Sequence, residues 1–361
     1  MKPSVRRLLL TTGSAAVGVA AAVAGERYLV HRARSRPDPE RGERLSERPG
    51  RPLRVPSFDG TELAVNLVGP TNGPTLMFAH GFSGDMTTWH YQWKHFARRY
   101  RCVLYDHRGH GSSDSATAGD YSIQALGRDL RAVLDATVPR GPVALFGHSM
   151  GGMAIMALAE LHPEEFGGRV RAAVLADTSA SDLVREMVSG LGTRASAFVA
   201  RHAARLAGTP ASRVRARVMA PRSGVAFLVA EAANFGPHAP PSLVDHVVSV
   251  AAQARPEVWS RLMASLLDMN LTEALRHIAV PALVIVGDVD RLTPPLAVEA
   301  MARRLPDPRV VVLEDAGHCA MLERHAQFNA VAEEFLGQHL PVRRRPARPA
   351  GSTRARAARN T

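Results

Sequence analysis

The sequence predicts an α/β fold: a mostly parallel, doubly wound sheet with helices on both faces and a helical insertion late in the chain. Three observations point to it. Short apolar runs alternate with helical stretches along most of the 361 residues, which implies parallel strands buried on both faces. Polar residues flanked by glycine follow directly after several of those runs, where open α/β sheets bind their ligands. The alternation breaks once, from Ser179 to about Ile278, where only helical patterns occur.

The elements follow in order. Leu53–Val55 and Leu63–Val68 flank Asp59-Gly60, a strong hairpin signal. The apolar runs Thr75–Ala79, Cys102–Tyr105, Val143–Phe146, Ala172–Ala176, Ala282–Val286 and Val310–Leu313 read as buried strands. Helices are expected over Thr88–Arg99, Ile123–Ala136, Met153–Leu161, Leu296–Arg304 and Ala326–Gln338. The insertion, residues 179–278, is expected to cap the carboxyl edge of the sheet.

Charge divides the chain into a body and two ends. The net charge is +12, but residues 1–51 hold 11 Lys/Arg against 5 Asp/Glu, and residues 340–361 hold 7 Arg and no acid. The body, 52–339, is therefore near neutral. A nucleic-acid partner is not expected, because such enzymes carry their positive charge on the folded surface. The two cysteines, Cys102 and Cys319, suggest neither a disulfide framework nor a zinc site.

The uncharged run Leu8–Gly25 lies between Lys2, Arg6 and Arg7 on one side and Arg27, Arg32, Arg34 and Arg36 on the other. At the short limit for a spanning helix, it predicts membrane association through an N-terminal anchor. The alternative is an export signal cleaved after Ala22-Val23-Ala24. A basic stretch immediately after Ala24 favours the retained anchor. Residues 32–51 read as a solvated linker and 340–361 as a disordered Arg-rich tail.

The chemistry centres on "VALFGHSMGG". Ser149 follows a strand and precedes a helix, with Gly147 and Gly151 two residues to either side: the G-x-S-x-G pattern of a nucleophile elbow. A serine hydroxyl needs a base, and that base needs an orienting carboxylate. Asp288 and Asp290 lie just past one later strand and His318 past the next, in the chain order serine, aspartate, histidine. Ser149 could otherwise be a helix cap and Asp290 a loop cap; the presence of partners at the right strand ends favours catalysis.

With these motifs, "HGFSGDMTTW" at His80–Trp89, "DHRGHGSSD" at Asp106–Asp114, "GDVDRLTP" at Gly287–Pro294 and "DAGH" at Asp315–His318, the chain resembles the α/β-hydrolase family over residues 52–339. The resemblance implies an esterase- or lipase-like serine hydrolase with a helical cap and no cofactor or metal. It selects Asp290, the second aspartate of G-D-x-D, as the acid, and leaves Asp288 a capping role. It also implies an oxyanion hole built from the backbone N–H groups of Phe82 and Met150. His-Gly-Phe stands where some lipases carry His-Gly-Gly-Gly. A serine in the elbow disfavours epoxide hydrolase and haloalkane dehalogenase chemistry, which needs aspartate.

The resemblance casts His80 and His148 as braces of the oxyanion loops, and Asp106, Arg108 and Asp114 are expected to fix a sharp loop. Trp89, Phe198, Phe227, Phe235 and Trp259 could line a pocket or pack the core, and Cys319 is a bystander. The expected partner is a small-molecule, ester-like substrate. Thioesterase, perhydrolase (haloperoxidase-like) and carbon–carbon bond hydrolase chemistry, or a non-catalytic binding role, stay open. No motif speaks to oligomeric state.

Overall fold

The computed structural model describes residues 24–181 and 223–342. Helix α1 covers 24–34, and β1 (Arg51–Pro56) and β2 (Glu62–Val68) form the hairpin. Gly60 takes φ +80° at its turn, and Thr61 N–H donates to Asp59. Then follow β3 (Thr75–Ala79), α2 (His90–Phe96), β4 (Arg101–Tyr105) and α3 (Ile123–Thr137). Next come β5 (Val143–His148), α4 (Met150–Leu161) and β6 (Val170–Ala176). Helices α5 (Gly224–Asn234), α6 (Pro241–Ala251) and α7 (Pro256–Asp268) precede β7 (Ala282–Gly287). The chain closes with α8 (Pro295–Ala302), β8 (Pro308–Leu313), α9 (Ala320–Glu323) and α10 (His325–His339).

The eight strands form one sheet in the order β1-β2-β4-β3-β5-β6-β7-β8, antiparallel only where β2 pairs with its neighbours. The apolar side chains of β3, β5 and β7 are buried throughout, as parallel strands covered on both faces require. β8 alternates between exposed and half-buried positions up to the buried Leu313, as an edge strand does. One core joins a sheet face to α3, α4 and α8, and a second joins the other face to α2, α9 and α10.

The register places the site. Ala79 of β3 pairs with Gly147 of β5, His148 with Ala176 of β6, Ala176 with Ile285 of β7, and Gly287 with Leu313 of β8. The strands therefore end in step, and the loops that follow them emerge along one edge.

Helix α4 begins at Met150, three residues before the expected Met153. Gly151 and Gly152 weaken a helix by propensity, but close packing requires both of them here. Strand β5 likewise runs two residues beyond Phe146.

The membrane anchor and membrane localisation expected from Leu8–Gly25 are corrected. Among the described residues no helix is long and apolar enough to cross a membrane. Residues 1–23 lie outside the described residues, and α1 is studded with charge: Glu26, Arg27, Arg32 and Arg34. The solvated linker is corrected too. Residues 34–49 form a strap bound to the body: Arg34 pairs with Asp245 at 2.7 Å, Arg36 with Glu231, and Asp38 accepts from Ser242 Oγ at 2.7 Å. Its arginines and carboxylates find opposite charges, where composition alone suggested only solvation. Part of the expected cap, 182–222, and most of the tail, 343–361, lie outside the described residues.

Helix α6 docks through His246, whose buried Nε2 lies 3.2 Å from Thr87 Oγ1. Burial lowers this ring's pKa to about 4, against about 6.5 in an unfolded chain. As pH falls from about 6.5 to 4 the unfolded chain gains a proton there that the folded one refuses, so stability drops across that window. His246→Gln should flatten the fall in Tm between pH 7 and 4; an unchanged slope would contradict this assignment.

Candidate active site

Ser149 sits between β5 and α4 with φ +50° and ψ −117°, a left-side conformation rare for a residue with a Cβ. Its surroundings explain the neighbouring glycines. A Cβ on Gly151 would lie 2.1 Å from the Ala79 carbonyl oxygen, and one on Gly147 would lie 2.6 Å from the Gly151 backbone. One on Gly152 would meet Thr178 Oγ1 at 2.6 Å. These contacts press the first turn of α4 against the ends of β3 and β6, and the turn lifts the serine side chain above the sheet edge.

His318, in the loop after β8, brings Nε2 to 2.9 Å from Ser149 Oγ. Its Nδ1 is 2.9 Å from Asp290 Oδ2, in the loop after β7. Asp290 is fixed in turn: Leu292 and Thr293 N–H donate to Oδ1, and Thr293 Oγ1 donates to Oδ2 at 2.6 Å. Burial favours its protonated form, yet the His318 ring and these donors hold the carboxyl below the usual aspartate range. A carboxylate facing Nδ1 fixes the tautomer that leaves Nε2 free to accept the serine proton. Asp288 does not reach His318; it accepts from Ala316 N–H and steadies the loop before the histidine.

The loop after β3 lies against the elbow, where a Cβ on Gly81 would come 2.6 Å from His148 Nδ1 and 3.2 Å from Ser149 Cβ. A turn closed by Gly84 N–H to Gly81 O contains Phe82. Among the described residues the N–H groups of Phe82 and Met150 have no acceptor. Histidines hold this loop: His80 donates from Nδ1 to Gly81 O and accepts at Nε2 from His107 N–H, and His110 Nε2 accepts from Ser83 N–H. Burial lowers His80 to about 4 and His110 to about 3, so both rings are neutral at ordinary pH and keep these acceptors. His148, lowered to about 3 chiefly by burial, donates from Nε2 to His318 O.

Three residues at the site escaped the sequence reading. Asp177, directly after β6 at φ +45°, accepts from Gly287 N–H (3.0 Å) and Ala320 N–H (3.1 Å), tying together the loops of Asp290 and His318. Burial and then the charge of Asp290 push its carboxyl well above the usual range. Glu323, pushed to about 7 by burial, accepts from Gly317 and Gly236 N–H and joins the histidine loop to the insertion. Thr293 is the third. An acid directly after a buried strand was the available signal for Asp177; nothing local marked Glu323.

Of the aromatics, Trp89 packs with Phe78, Phe146 and Phe328 in the core, and Phe227 and Phe235 are buried. Trp259 on α7 is partly exposed, its ring 5.6 Å from that of Phe82. Phe198 lies outside the described residues. Burial raises the Cys319 thiol well above its usual range, which keeps it a bystander. Arg108 is fully buried against Asp59 and Asp129. Asp106 accepts from Met86 and Ser112 N–H, and the exposed Asp114 accepts through its carbonyl from Gly109 N–H. Among the described residues no group of three or more His, Cys, Asp or Glu side chains is placed to hold a metal ion.

The family model for the alpha/beta hydrolase fold matches residues 74–325. The chain is 27% identical over 283 residues to 3-oxoadipate enol-lactonase 2 of Acinetobacter baylyi, covering 76% of this chain and 94% of that one. It is also 27% identical over 277 residues to the pimeloyl-[acyl-carrier protein] methyl ester esterase of Aeromonas hydrophila, covering 76% and 100%. A thermophilic esterase from Thermogutta terrifontis shares the fold, with a TM-score of 0.66 at 24% identity, covering 81% of this chain and all of that one.

The packing at the elbow can be tested against a neutral glycine. Gly151→Ala should destabilise the protein by about 1–3 kcal/mol or more through overpacking. Gly337→Ala, in α10 with open space around it, should stabilise it by about 0.5–1 kcal/mol. Thermal unfolding of both variants checks this; equal shifts would mean the α4–β3 contact is loose.

Proposed function

The chain belongs to the α/β-hydrolase fold family, and from that premise we propose that it is a serine hydrolase cleaving a carboxylic ester of a small or medium apolar substrate. The observation that carries this reading is the continuous chain Ser149 Oγ, His318 Nε2, His318 Nδ1, Asp290 Oδ2, with both links at 2.9 Å. The named relatives, an enol-lactonase and a methyl ester esterase, both open an oxygen ester.

Ser149 Oγ attacks the ester carbonyl while His318 Nε2 takes its proton, and Asp290 holds the ring and balances the imidazolium. The carbonyl oxygen becomes an anion that receives the N–H groups of Phe82 and Met150, donors aimed before the charge develops. Collapse expels the alcohol, which leaves with the proton from His318. Water then attacks the acyl-Ser149 ester, giving its proton to the same nitrogen, which passes it to Ser149 Oγ as the acid departs. Helices α5–α7 serve as the cap within residues 52–339, and the Phe82–Trp259 pair offers the apolar part of the substrate a wall beside the oxyanion hole.

The test is labelling by a fluorophosphonate and hydrolysis of p-nitrophenyl esters of increasing chain length. Ser149→Ala should abolish labelling and lower kcat by about 10⁴–10⁶-fold, and His318→Ala should be comparable. Asp290→Asn should be severe and Asp288→Asn mild. Wild-type turnover in Ser149→Ala would overturn the mechanism, and a wild-type protein that neither labels nor hydrolyses would be a binding protein on this fold. Preference for thioesters, peracid formation or carbon–carbon cleavage over oxygen esters would reassign the reaction on the same residues.

A further inference from the structure

We infer that Arg48, in the N-terminal strap, is a positioning residue of the oxyanion hole, so that a segment outside the matched hydrolase region is a working part of the site. The inference rests on the proposed hydrolase reading. Arg48 Nη1 donates to Asp106 Oδ2 at 2.8 Å and Nη2 to Asp85 Oδ2 at 2.7 Å. Asp106 and Asp85 are 0% and 5% exposed, and Arg48 is 32% exposed. One planar fork thus joins two buried carboxylates from different loops, a geometry that a point charge cannot reproduce.

Both carboxylates belong to the frame of the oxyanion loop. Asp85 follows the Gly81–Gly84 turn that contains Phe82, and its Oδ1 accepts Thr87 N–H to begin the next helical turn. Asp106 accepts Met86 N–H at 2.7 Å with one oxygen and Ser112 N–H at 2.7 Å with the other. Burial and the neighbouring Asp85 raise the Asp106 carboxyl, and Arg48 opposes them. Without the guanidinium, two buried anions would face each other uncompensated, and relief comes either from protonation or from movement of the segment Asp85–Met86. That segment is three residues from the Phe82 N–H.

The strap is built to hold the fork in place. Leu45 is buried, and Glu40 reaches Tyr91 Oη and His325 Nε2. Glu43 accepts from Lys94 and lies 3.0 Å from His90 Nε2, and the Pro49 carbonyl accepts from Asn66. The strap lies wholly before residue 74, where the family match starts.

The experiment compares Arg48→Met, Arg48→Lys and, as a surface control, Arg54→Met in the full chain. Each is assayed with p-nitrophenyl acetate and with an aryl trifluoromethyl ketone that forms a tetrahedral adduct on serine. Arg48→Met should lower kcat between about tenfold and hundredfold, the scale of a misplaced catalytic group. KM should stay within about twofold, and affinity for the ketone should weaken in parallel with kcat/KM. Arg48→Lys, which keeps the charge but loses the fork, should lie between wild type and Arg48→Met, and Arg54→Met should match wild type. Tens of millimolar guanidinium should restore part of the lost turnover in Arg48→Met. If Arg48→Met fails to fold, Arg48→Lys decides: wild-type kcat and ketone affinity there overturn the inference. A folded Arg48→Met that lowers only Tm also overturns it. Failure of the hydrolase reading is distinguishable, because then the wild type itself neither turns over the ester nor takes up the ketone.

Discussion

The site depends on one steric constraint: the start of α4 lies so close to the end of β3 that no side chain fits at Gly151. Everything that gives Ser149 its position follows from that contact. The strand can turn into the helix only through the strained conformation at Ser149, and the strain raises the hydroxyl above the sheet edge. The same closeness brings the loop of Phe82 against the elbow, so the two unengaged N–H groups belong to neighbouring segments. The energy stored in such a conformation, roughly 1–3 kcal/mol, persists only because the surrounding packing fixes it.

Around that point the protein holds its loops with buried carboxyl groups and neutral rings. Asp177, Glu323 and Asp106 are carboxylates whose oxygens are taken up mostly by backbone N–H groups of loops at the sheet edge. His80 and His110 do the complementary work with neutral imidazoles that each use one donor and one acceptor, while His107 and His148 each donate once, from Nε2 to His80 O and to His318 O. Burial sets both behaviours: it lowers the histidines and raises these acids. A loop fixed in this way can hold donors to a fraction of an ångström, which is the scale on which an oxyanion hole operates.

The sheet and the serine, aspartate and histidine were legible in the sequence because each rests on local signals. Apolar runs mark buried strands, and glycine spacing marks the elbow; the strand ends then place the polar residues. Asp290 over Asp288 needed the family resemblance, since both follow β7 equally closely in sequence. The strap was illegible for a different reason. Arg48 meets partners 37 and 58 residues away, and Glu40 meets His325, 285 residues away. No periodicity or composition carries that information, and a run of Arg, Pro and Glu has the same composition whether solvated or docked. The basic flank after Leu8–Gly25 shares that origin: its composition suits a membrane collar, yet Arg34 and Arg36 pair with Asp245 and Glu231.

The strap's reach also bears on the order in which the protein is completed during synthesis. Residues 34–49 leave the ribosome before these distant partners, and the last of them, His325, follows Glu40 by 285 residues. The sheet can assemble progressively from β1 onward, and the strap gains Asn66, Asp85, Lys94 and Asp106 first and Glu231 and Asp245 later, but its last contact waits until α10 has begun. Contacts so distant in sequence form late, because the entropy of closing the intervening chain must be overcome first. A nascent chain arrested before α10 would therefore carry the serine elbow already formed and its N-terminal segment docked without its clasp at His325.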